Sequence, residues 1–289
     1  MANVLSPPKL SGMNYRVLKP LGSGAGSTIL LISDKDGGGK RYALKVVRRL
    51  GADDDIYVNQ ARHEFEVSQR LRHPAIVKIY DCRTKRAWFR VTGIELLMEY
   101  VEGRSLEEVE MPKLKPLVIV FNQVASALVH MHRRGIYHGD LKPSNIMVTK
   151  SGRVKLIDFG TAWIKGQEKG RVQGTPSYMA PEQGSDRIVD DRTDVYNFGA
   201  TMYRMFTGRY ANAEAPSTAL GDLRNLVPPI EVNDRIPGTL NETIMACLQW
   251  QPERRPAGMF EVEHQLKAVA RYMKLKLKVM DLGEDADLE

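Results

Sequence analysis

The sequence predicts an α+β protein with a strand-rich first part and a mainly helical second part. Up to about residue 100, short apolar runs separated by glycine-containing turns indicate β-strands, with one helix among them. From about residue 114 onward, apolar residues recur with the 3.6-residue period of buried helices. The chain has 289 residues and 43% apolar content, which is enough to bury a substantial core.

Cysteine content and hydropathy narrow the class of protein. Cys82 and Cys247 are the two cysteines, and they are too far apart for a metal-ligand motif. A disulfide framework is therefore not expected, and a reducing compartment is favoured. We find no apolar run near the ~20 residues that a membrane helix needs, and no signal peptide at the N-terminus. We expect a soluble, cytoplasmic protein without a membrane segment.

The charge of the chain favours anionic ligands. Net charge is +7, and the last nine residues carry five acids and no base, so the rest of the chain carries +12. Nucleotides or acidic partners suit such a surplus, whereas no recognition-helix, zinc-finger or RNA-binding signature supports nucleic acid. Arg83, Lys85, Arg86 and Arg90 follow one another closely, either as a docking patch or as a solvated face.

A glycine cluster lies between two predicted strands near the N-terminus. Residues 1–12 read as a flexible lead-in, and the strands are predicted at 15–21 and 28–32. Glycines let backbone N–H groups approach phosphate oxygens closely, although a plain hairpin would use the same residues. A strand follows the glycines instead of a helix, which argues against a dinucleotide-binding fingerprint.

A lysine and a glutamate form a second candidate pair. Lys45 lies in the apolar strand predicted at 41–47. The segment from Asp53 to Arg72 has helical character, and Glu64 falls on the same face as its apolar residues. A carboxylate on an inward face needs a partner because burial removes its hydration. Lys45 is the natural partner for Glu64.

Candidate functional side chains are most concentrated in the stretch of residues 138–160, HGDLKPSNIMVTKSGRVKLIDFG. Its two apolar runs around Lys150-Ser151-Gly152 predict a β-hairpin, which holds its flanks close together. Asp140, Asn145 and Asp158 can therefore converge, although each alone could be a solvated loop residue. Carboxylate and amide oxygens are hard ligands that suit Mg²⁺ bridged to phosphates.

HGDLKPSN followed by DFG resembles the catalytic loop and metal-binding turn of the protein kinases, in the form of the Ser/Thr branch. The chain is thus similar to eukaryotic-like (Hanks-type) Ser/Thr kinase catalytic domains. Gly139 replaces the Arg that usually precedes the catalytic Asp, the so-called non-RD form. The resemblance implies a bilobal fold with an N-lobe at 13–98, a hinge at 99–103, a C-lobe at 104–274 and an acidic tail at 275–289.

The resemblance also assigns roles. Asp140 would accept the proton of a Ser or Thr hydroxyl, Lys142 would offset phosphoryl charge, and Lys45 with Glu64 would position the α- and β-phosphates. Asn145 and Asp158 would hold Mg²⁺, or Mn²⁺ in its place. The implied ATP-binding residues are Leu21, Gly22, Ser23, Gly24, Ala25, Gly26, Ser27, Ile29, Ala43, Lys45, Met98, Glu99, Val101 and Met147.

Further motifs resemble the peptide-substrate platform and the structural anchors of the family. Thr175 and Glu182 delimit the platform, and its presence separates protein kinases from relatives that act on small molecules. Phe159 belongs to the DFG turn. Asp194 is implied to anchor the catalytic loop, and Arg255 to pair with Glu182.

The loop after DFG lacks a phosphate acceptor in its middle. Between Ala162 and Gly174 there is no Ser, Thr or Tyr. The Arg that would pair with an added phosphate is Gly139 here. We expect activity without phosphorylation of this loop, with Thr161 and Thr175 as the remaining acceptors.

Two alternatives stay open. A pseudokinase scaffold is suggested by Gly139, by Ser27 at a usual glycine position and by Ser68 at a usually larger apolar position. A kinase of small molecules is disfavoured by the peptide platform. The substrate, the upstream signal, the oligomeric state and whether the chain is a complete protein are not determined by the sequence.

Overall fold

A computed structural model of the chain describes residues 8–24, 26–49, 51, 54–109, 113–167, 173–185, 189–211 and 226–277. The chain divides into two units. The first unit contains the described residues up to 72 together with 77–102, and the second contains 73–76 and the described residues from 103 onward. The predicted lobe and hinge boundaries remain predictions.

A five-stranded antiparallel sheet forms most of the first unit. Its order is β1-β2-β3-β5-β4. The elements are β1 (Tyr15–Gly24), β2 (Ser27–Asp34), β3 (Arg41–Arg48), the helix α1 (Asp55–Gln69), β4 (Ile79–Ala87) and β5 (Arg90–Glu99).

The glycine cluster is part of the sheet instead of a separate loop. We predicted that β1 ends at residue 21 and that β2 begins at residue 28. The structure pairs Gly22 with Ile29 and Gly24 with Ser27, so the two strands run together up to the turn. The prediction was short because glycine is depleted in strands and therefore reads as a loop signal.

Two ends of elements also differ from prediction. α1 ends at Gln69 because the N–H groups of Arg70 and Leu71 bond to carbonyls three residues back, which tightens the last turn. The apolar run from Ile76 to Tyr80 predicts a strand, but β4 begins only at Ile79. Ile76 instead forms a parallel bridge with Leu156 of the second unit, to which residues 73–76 belong.

Leu10 departs from the expectation of a flexible lead-in at 1–12. Residues 1–7 lie outside the described residues, but Leu10 is fully buried in a cluster with Ile32, Leu44 and Leu97. Its N–H donates to Asp81 at 2.7 Å. Burial of one leucine and satisfaction of its backbone fix this part of the segment.

The second unit is mainly helical, with two small sheets of order β6-β8-β9 and β10-β7. Its elements are β6 (Gly103–Ser105), α2 (Leu114–His132), β7 (Ile136–Tyr137), β8 (Ile146–Thr149), β9 (Val154–Leu156), β10 (Trp163–Ile164), α3 (Pro181–Ser185), α4 (Asp191–Thr207), α5 (Pro229–Val232), α6 (Gly238–Cys247) and α7 (Met259–Tyr272).

The helices α2 and α4 form the centre of this unit. Phe121 of α2 is fully buried and packs edge-on against Phe198 of α4, with ring centroids 5.5 Å apart. By length and composition α2 would suffice to cross a membrane, contrary to our expectation from the sequence. However, 61% of the apolar 18-residue stretch of α2 is buried within the protein, as expected of a core helix.

Capping fixes where α4 begins. Asp190 accepts hydrogen bonds from the N–H groups of Arg192 and Thr193, at 2.9 and 3.0 Å, and Gly208 ends the helix at φ +74°. This start places Asp194 in the first turn, where its side chain is fully buried. The carboxylate consequently has to find its partners inside the protein.

Candidate active site

Lys45 and Glu64 form an ion pair within the first unit. Lys45 lies on the central strand β3, between Ile29 of β2 and Leu96 of β5. Its Nζ is 2.6 Å from Oε2 of Glu64 on α1, and Glu64 is only 1% exposed. The carboxylate is therefore held on the inward face of α1, as its position in the helical pattern predicted, with an ammonium that offsets its lost hydration.

The tip of the β1–β2 hairpin requires glycine. Gly26 has φ +69°, and an ideal Cβ built on it would lie 2.5 Å from the ring of Tyr57 on α1. Gly22 and Gly24 lie on β1 and are exposed, while Ser27 begins β2. Ala25 lies outside the described residues. The exposed backbone of this segment can approach a phosphate without intervening side chains.

The other residues predicted to contact ATP are divided between the units. Ala43 and Met98 are directly opposite each other on β3 and β5 and are 8% and 7% exposed. Met147 lies half-buried on β8 of the second unit. The remaining predicted residues of the first unit are Leu21 and Ser23, which are exposed, and Ile29, Glu99 and Val101, which are half-buried.

Asp140 and Lys142 are joined in the second unit. Nζ of Lys142 lies 2.8 Å from Oδ2 of Asp140 and 2.7 Å from Oγ1 of Thr175. The other carboxylate oxygen, Oδ1, is buried and has no hydrogen-bond partner in the part of the chain that the structure describes. Lys142 thus fixes one carboxylate oxygen of Asp140, while the capacity of the other to accept a hydrogen bond is unused among the described residues.

Asn145 and Asp158 are linked through the β8–β9 hairpin. The side-chain Nδ2 of Asn145 donates to the main-chain carbonyl oxygen of Asp140 at 2.9 Å, and the main-chain carbonyl oxygen of Asn145 accepts from Ile157 N at 3.0 Å. Asp158 follows at once, with φ +66°. Gln123 of α2 secures the turn between the strands by bonding to Gly152 O and Val154 N, at 2.8 and 3.1 Å.

The donors near this hairpin fit a hard divalent cation. Because Nδ2 of Asn145 is engaged by the backbone, its Oδ1 is the atom left for a metal, and Asp158 adds a carboxylate. No group of three or more His, Cys, Asp or Glu side chains within the described ranges is placed to hold a metal ion. A metal here would thus complete its shell with phosphate oxygens and water, as Mg²⁺ commonly does.

Asp194 fixes the backbone of the loop that carries Asp140. Its carboxylate accepts hydrogen bonds from His138 N at 2.7 Å, from Gly139 N at 2.8 Å and from Nε2 of His132 at 2.8 Å. Burial alone would raise the pKa of Asp194, but these bonds outweigh burial and hold the pKa below its ordinary value. The loop therefore depends on an ionised carboxylate.

Glu182 and Arg255 form a bidentate ion pair. The two guanidinium nitrogens lie 2.6 and 2.9 Å from the two carboxylate oxygens, and the Arg255 side chain is fully buried. Arg255 also donates to the carbonyl oxygens of Gln249, Trp250 and Arg192. The pair joins the segment after Thr175 to the region before α7.

Phe159 of the DFG turn is a buried core residue. It is 0% exposed and packs edge-on against His138, with ring centroids 5.8 Å apart. This contact lies entirely within the second unit and connects the turn that carries Asp158 to the loop that carries Asp140.

Sequence reasoning missed Gln183 and His132. The Gln183 amide donates to Gly139 O at 2.8 Å and accepts from Ala180 N and from Asn197 Nδ2. Gly139 itself has φ +70°, so both its backbone groups and its conformation are fixed. The available signal was a polar residue directly after Glu182, in a segment otherwise assigned to the platform.

Comparison with known proteins agrees with this geometry. Residues 15–267 match the protein kinase domain family. The chain is 34% identical over 241 residues to a probable serine/threonine-protein kinase of Clostridium acetobutylicum. The aligned region covers 80% of this chain and 36% of that protein. Serine/threonine-protein kinase PrkC of Bacillus subtilis is 27% identical, over 97% and 44% of the two chains.

Serine/threonine-protein kinase PknB of Mycobacterium leprae is 32% identical, over 86% of this chain and 42% of that protein. The chain therefore spans less than half the length of each of these relatives. The match to the family nevertheless extends from the first strand of the first unit to the last helix of the second. On these grounds the chain belongs to the protein kinase family.

Proposed function

We propose that this chain transfers the γ-phosphoryl group of ATP to Ser and Thr hydroxyls of protein substrates. The observation that carries the proposal is the state of Asp140, one oxygen of which is fixed by Lys142 while the other is buried without a partner among the described residues. Such an oxygen suits the acceptance of a hydroxyl proton. Its relatives named above are serine/threonine-protein kinases, which supports Ser and Thr as acceptors.

Each residue then has a distinct part. Asp140 orients the hydroxyl and takes its proton as the hydroxyl oxygen bonds to the γ-phosphorus, and the bond from that phosphorus to the β–γ bridging oxygen breaks so that ADP leaves. Lys142, already bound to Asp140 and Thr175, places positive charge beside the transferring group. Lys45, held by Glu64, and the backbone of the glycine segment position the phosphates of the nucleotide.

Asn145 and Asp158 are the residues that would hold a divalent cation, which we propose to be Mg²⁺, with Mn²⁺ able to replace it. Such an ion supplies neutralisation of phosphate charge when bound. Hydrogen bonds within the protein hold Asn145 in place, because it is bonded to Asp140 and to Ile157. A cytoplasmic location is part of the proposal, and free thiols at Cys82 and Cys247 agree with it.

We further propose that activity does not need phosphorylation of the loop between Ala162 and Gly174. Gly139 cannot pair with a phosphate, and Gln183 and Asp194 already bond to its backbone on both sides. Phosphatase treatment should leave the activity intact. Loss of activity, with the essential phosphate located at residues 161–177, would contradict this proposal.

The test of the main proposal is transfer of radiolabelled phosphate from ATP to a generic basic protein and to the chain itself. Asp140→Asn should reduce transfer by about 10²–10⁴-fold, the usual contribution of a general base. Asp234→Asn removes an exposed carboxylate outside the site and should have no effect. Full activity in Asp140→Asn would refute the mechanism.

The pseudokinase alternative makes a different prediction. A scaffold would bind nucleotide in a calorimeter without transferring phosphate to any protein. The pseudokinase alternative rests on three residues that differ from those usual in the family, namely Ser27, Ser68 and Gly139. Ser68 is buried on α1, where its hydroxyl donates to Phe65 O at 2.7 Å. The N–H of Gly139 donates to the carboxylate of Asp194. Neither arrangement disrupts the pair of Lys45 and Glu64.

A further inference from the structure

The turn between β4 and β5 presents two aromatic side chains to solvent. Ala87 pairs with Arg90, so Trp88 and Phe89 alone form the turn, which we call the aromatic tip. Both residues are 93% exposed, whereas the next most exposed large apolar side chain in the described part of the chain is Tyr272, at 72%. Single exposed apolar residues are common on protein surfaces, but adjacent, almost fully exposed Trp and Phe are not.

The backbone of the aromatic tip adds a second observation. Trp88 has φ +55°, one of three positive values among the non-glycine residues that the structure describes. A two-residue turn with positive φ at its first position normally has glycine there. Trp is a poor choice for this conformation and contributes no buried contact in return. Such a cost at an exposed position indicates a role outside the fold.

Cations surround the aromatic tip. From Lys85 to Thr92 the hairpin carries three basic residues and no acid. Arg86 and Arg90 are exposed, and the exposed Arg48 of β3 is opposite Gly93 of β5, near the same end of the sheet.

Arg83, which we had grouped with these cations, is instead structural. It bonds to Glu95 at 2.6 Å and to Leu10 O at 3.2 Å. The basic residues that remain near the tip are Lys85, which lies 3.5 Å from Glu95, and the exposed Arg86 and Arg90, while the turn itself carries no acid.

We propose that the aromatic tip inserts into the headgroup region of an anionic phospholipid bilayer, with Arg86 and Arg90 contacting the lipid phosphates. Trp and Phe beside Lys and Arg is the composition that favours this interface. A two-residue turn is far smaller than the about 800 Å² per partner that a stable protein complex buries. Insertion of the aromatic tip into a bilayer does not require a buried area of that size. The proposal concerns attachment of the kinase to a surface and is independent of phosphoryl transfer.

The experiment is flotation of the whole chain, without nucleotide, with vesicles of phosphatidylcholine alone or mixed with phosphatidylserine. We expect binding to the anionic vesicles only, weakened by salt. Arg86→Gln with Arg90→Gln should weaken binding about 30-fold, on the order of fivefold for each cation. Trp88→Gly should weaken it at least about tenfold, because the insertion of an indole is lost.

Trp88→Gly is also the control for folding. Glycine suits φ +55°, so this variant should be at least as stable as the original chain and equally active on a soluble peptide. Tyr272→Ser removes an exposed aromatic from the end of α7 and should leave vesicle binding unchanged.

Three results would overturn the proposal. These are absence of binding to anionic vesicles, binding that Trp88→Gly and the double arginine variant leave unaltered, and self-association of the chain that Trp88→Gly abolishes. The last result would assign the aromatic tip to contact between two copies of the chain. Loss of kinase activity in Asp140→Asn has no bearing on any of them, so the two proposals are tested separately.

Discussion

Asp194 and Gly139 are 55 residues apart in the sequence, yet a carboxylate oxygen of Asp194 accepts a 2.8 Å hydrogen bond from the Gly139 N–H. The same carboxylate accepts from His138 N and is fully buried on α4. The position of Asp140, the next residue in the chain, is therefore set by a buried carboxylate of α4.

Asp194→Asn should lower kcat more than it raises the KM for ATP. The variant replaces an ionised acceptor of backbone N–H groups with an amide, and unpaired buried donors cost about 1–3 kcal/mol each. We expect a fall in kcat on the order of tenfold to a hundredfold. Asp190→Asn is the matched control, since Asn caps a helix as well as Asp does. Equal effects of the two variants would contradict the anchoring role.

Arg255→Met should destabilise the fold strongly. It leaves Glu182 buried and uncompensated and removes donors from three carbonyl oxygens. The free energy of unfolding should fall by about 3–5 kcal/mol in a denaturant titration. Lys267→Met breaks the pair with Glu263 one helical turn away, in which the Lys267 side chain is 48% exposed, and should cost less than about 1 kcal/mol. Similar losses of unfolding free energy in the two variants would show that burial does not make the pair of Arg255 and Glu182 more important for stability.

Gly26→Ala should destabilise the first unit, whereas Gly22→Ala should not. Gly26 has φ +69°, and a Cβ there would meet the ring of Tyr57, while nothing lies within 4 Å of a Cβ at Gly22. The left-handed conformation alone costs about 1–2 kcal/mol for a residue other than glycine. Tyr57→Ala should recover only the steric part of the loss, which a double-mutant cycle of unfolding free energies measures. Full recovery would refute the conformational part.

Stability should fall as pH drops from about 6.5 to about 4. Burial, followed by the nearby His130, Lys155 and Arg134, lowers the pKa of His73 to about 4. Its Nδ1 accepts from Ala75 N at 3.1 Å, so the folded state holds the neutral ring. The unfolded chain takes up a proton below its ordinary pKa, and the folded chain resists until about 4. The stability present above pH 6.5 is thus lost in this window.

The loss attributable to His73 is roughly 3 kcal/mol at most. His73→Asn keeps an acceptor for Ala75 N but removes the titration, so its unfolding free energy should depend less on pH. Burial also lowers the pKa of His130 to about 4, so part of the dependence should remain in the variant. An unchanged pH profile in His73→Asn would contradict the assignment to His73.

The sequence was sufficient wherever the signal is local. The hairpin that carries Asn145 and Asp158 and the inward face of α1 are each encoded within some twenty residues. The partners of Asp194 and Glu182 came from resemblance to the family, because no local pattern relates residues so far apart.

What escaped prediction depends on tertiary contacts. Gln183 bonds to Gly139 across 44 residues, and His132 bonds to Asp194 across 62. Leu10 is fixed by Asp81 and Arg83, 71 and 73 residues away. Single polar or apolar residues at such distances carry no periodicity. Their roles emerge only when packing decides which backbone groups remain to be satisfied.

Side chains of the single helix α2 bond to two distant parts of the proposed active site. Gln123 bonds to the β8–β9 turn, and His132 bonds to Asp194. Loops that share one such support open together instead of one by one. The amide hydrogens on either side of Asp140 and of Asp158 would accordingly exchange with solvent as a single cooperative group, slowed by the same core that buries Phe121.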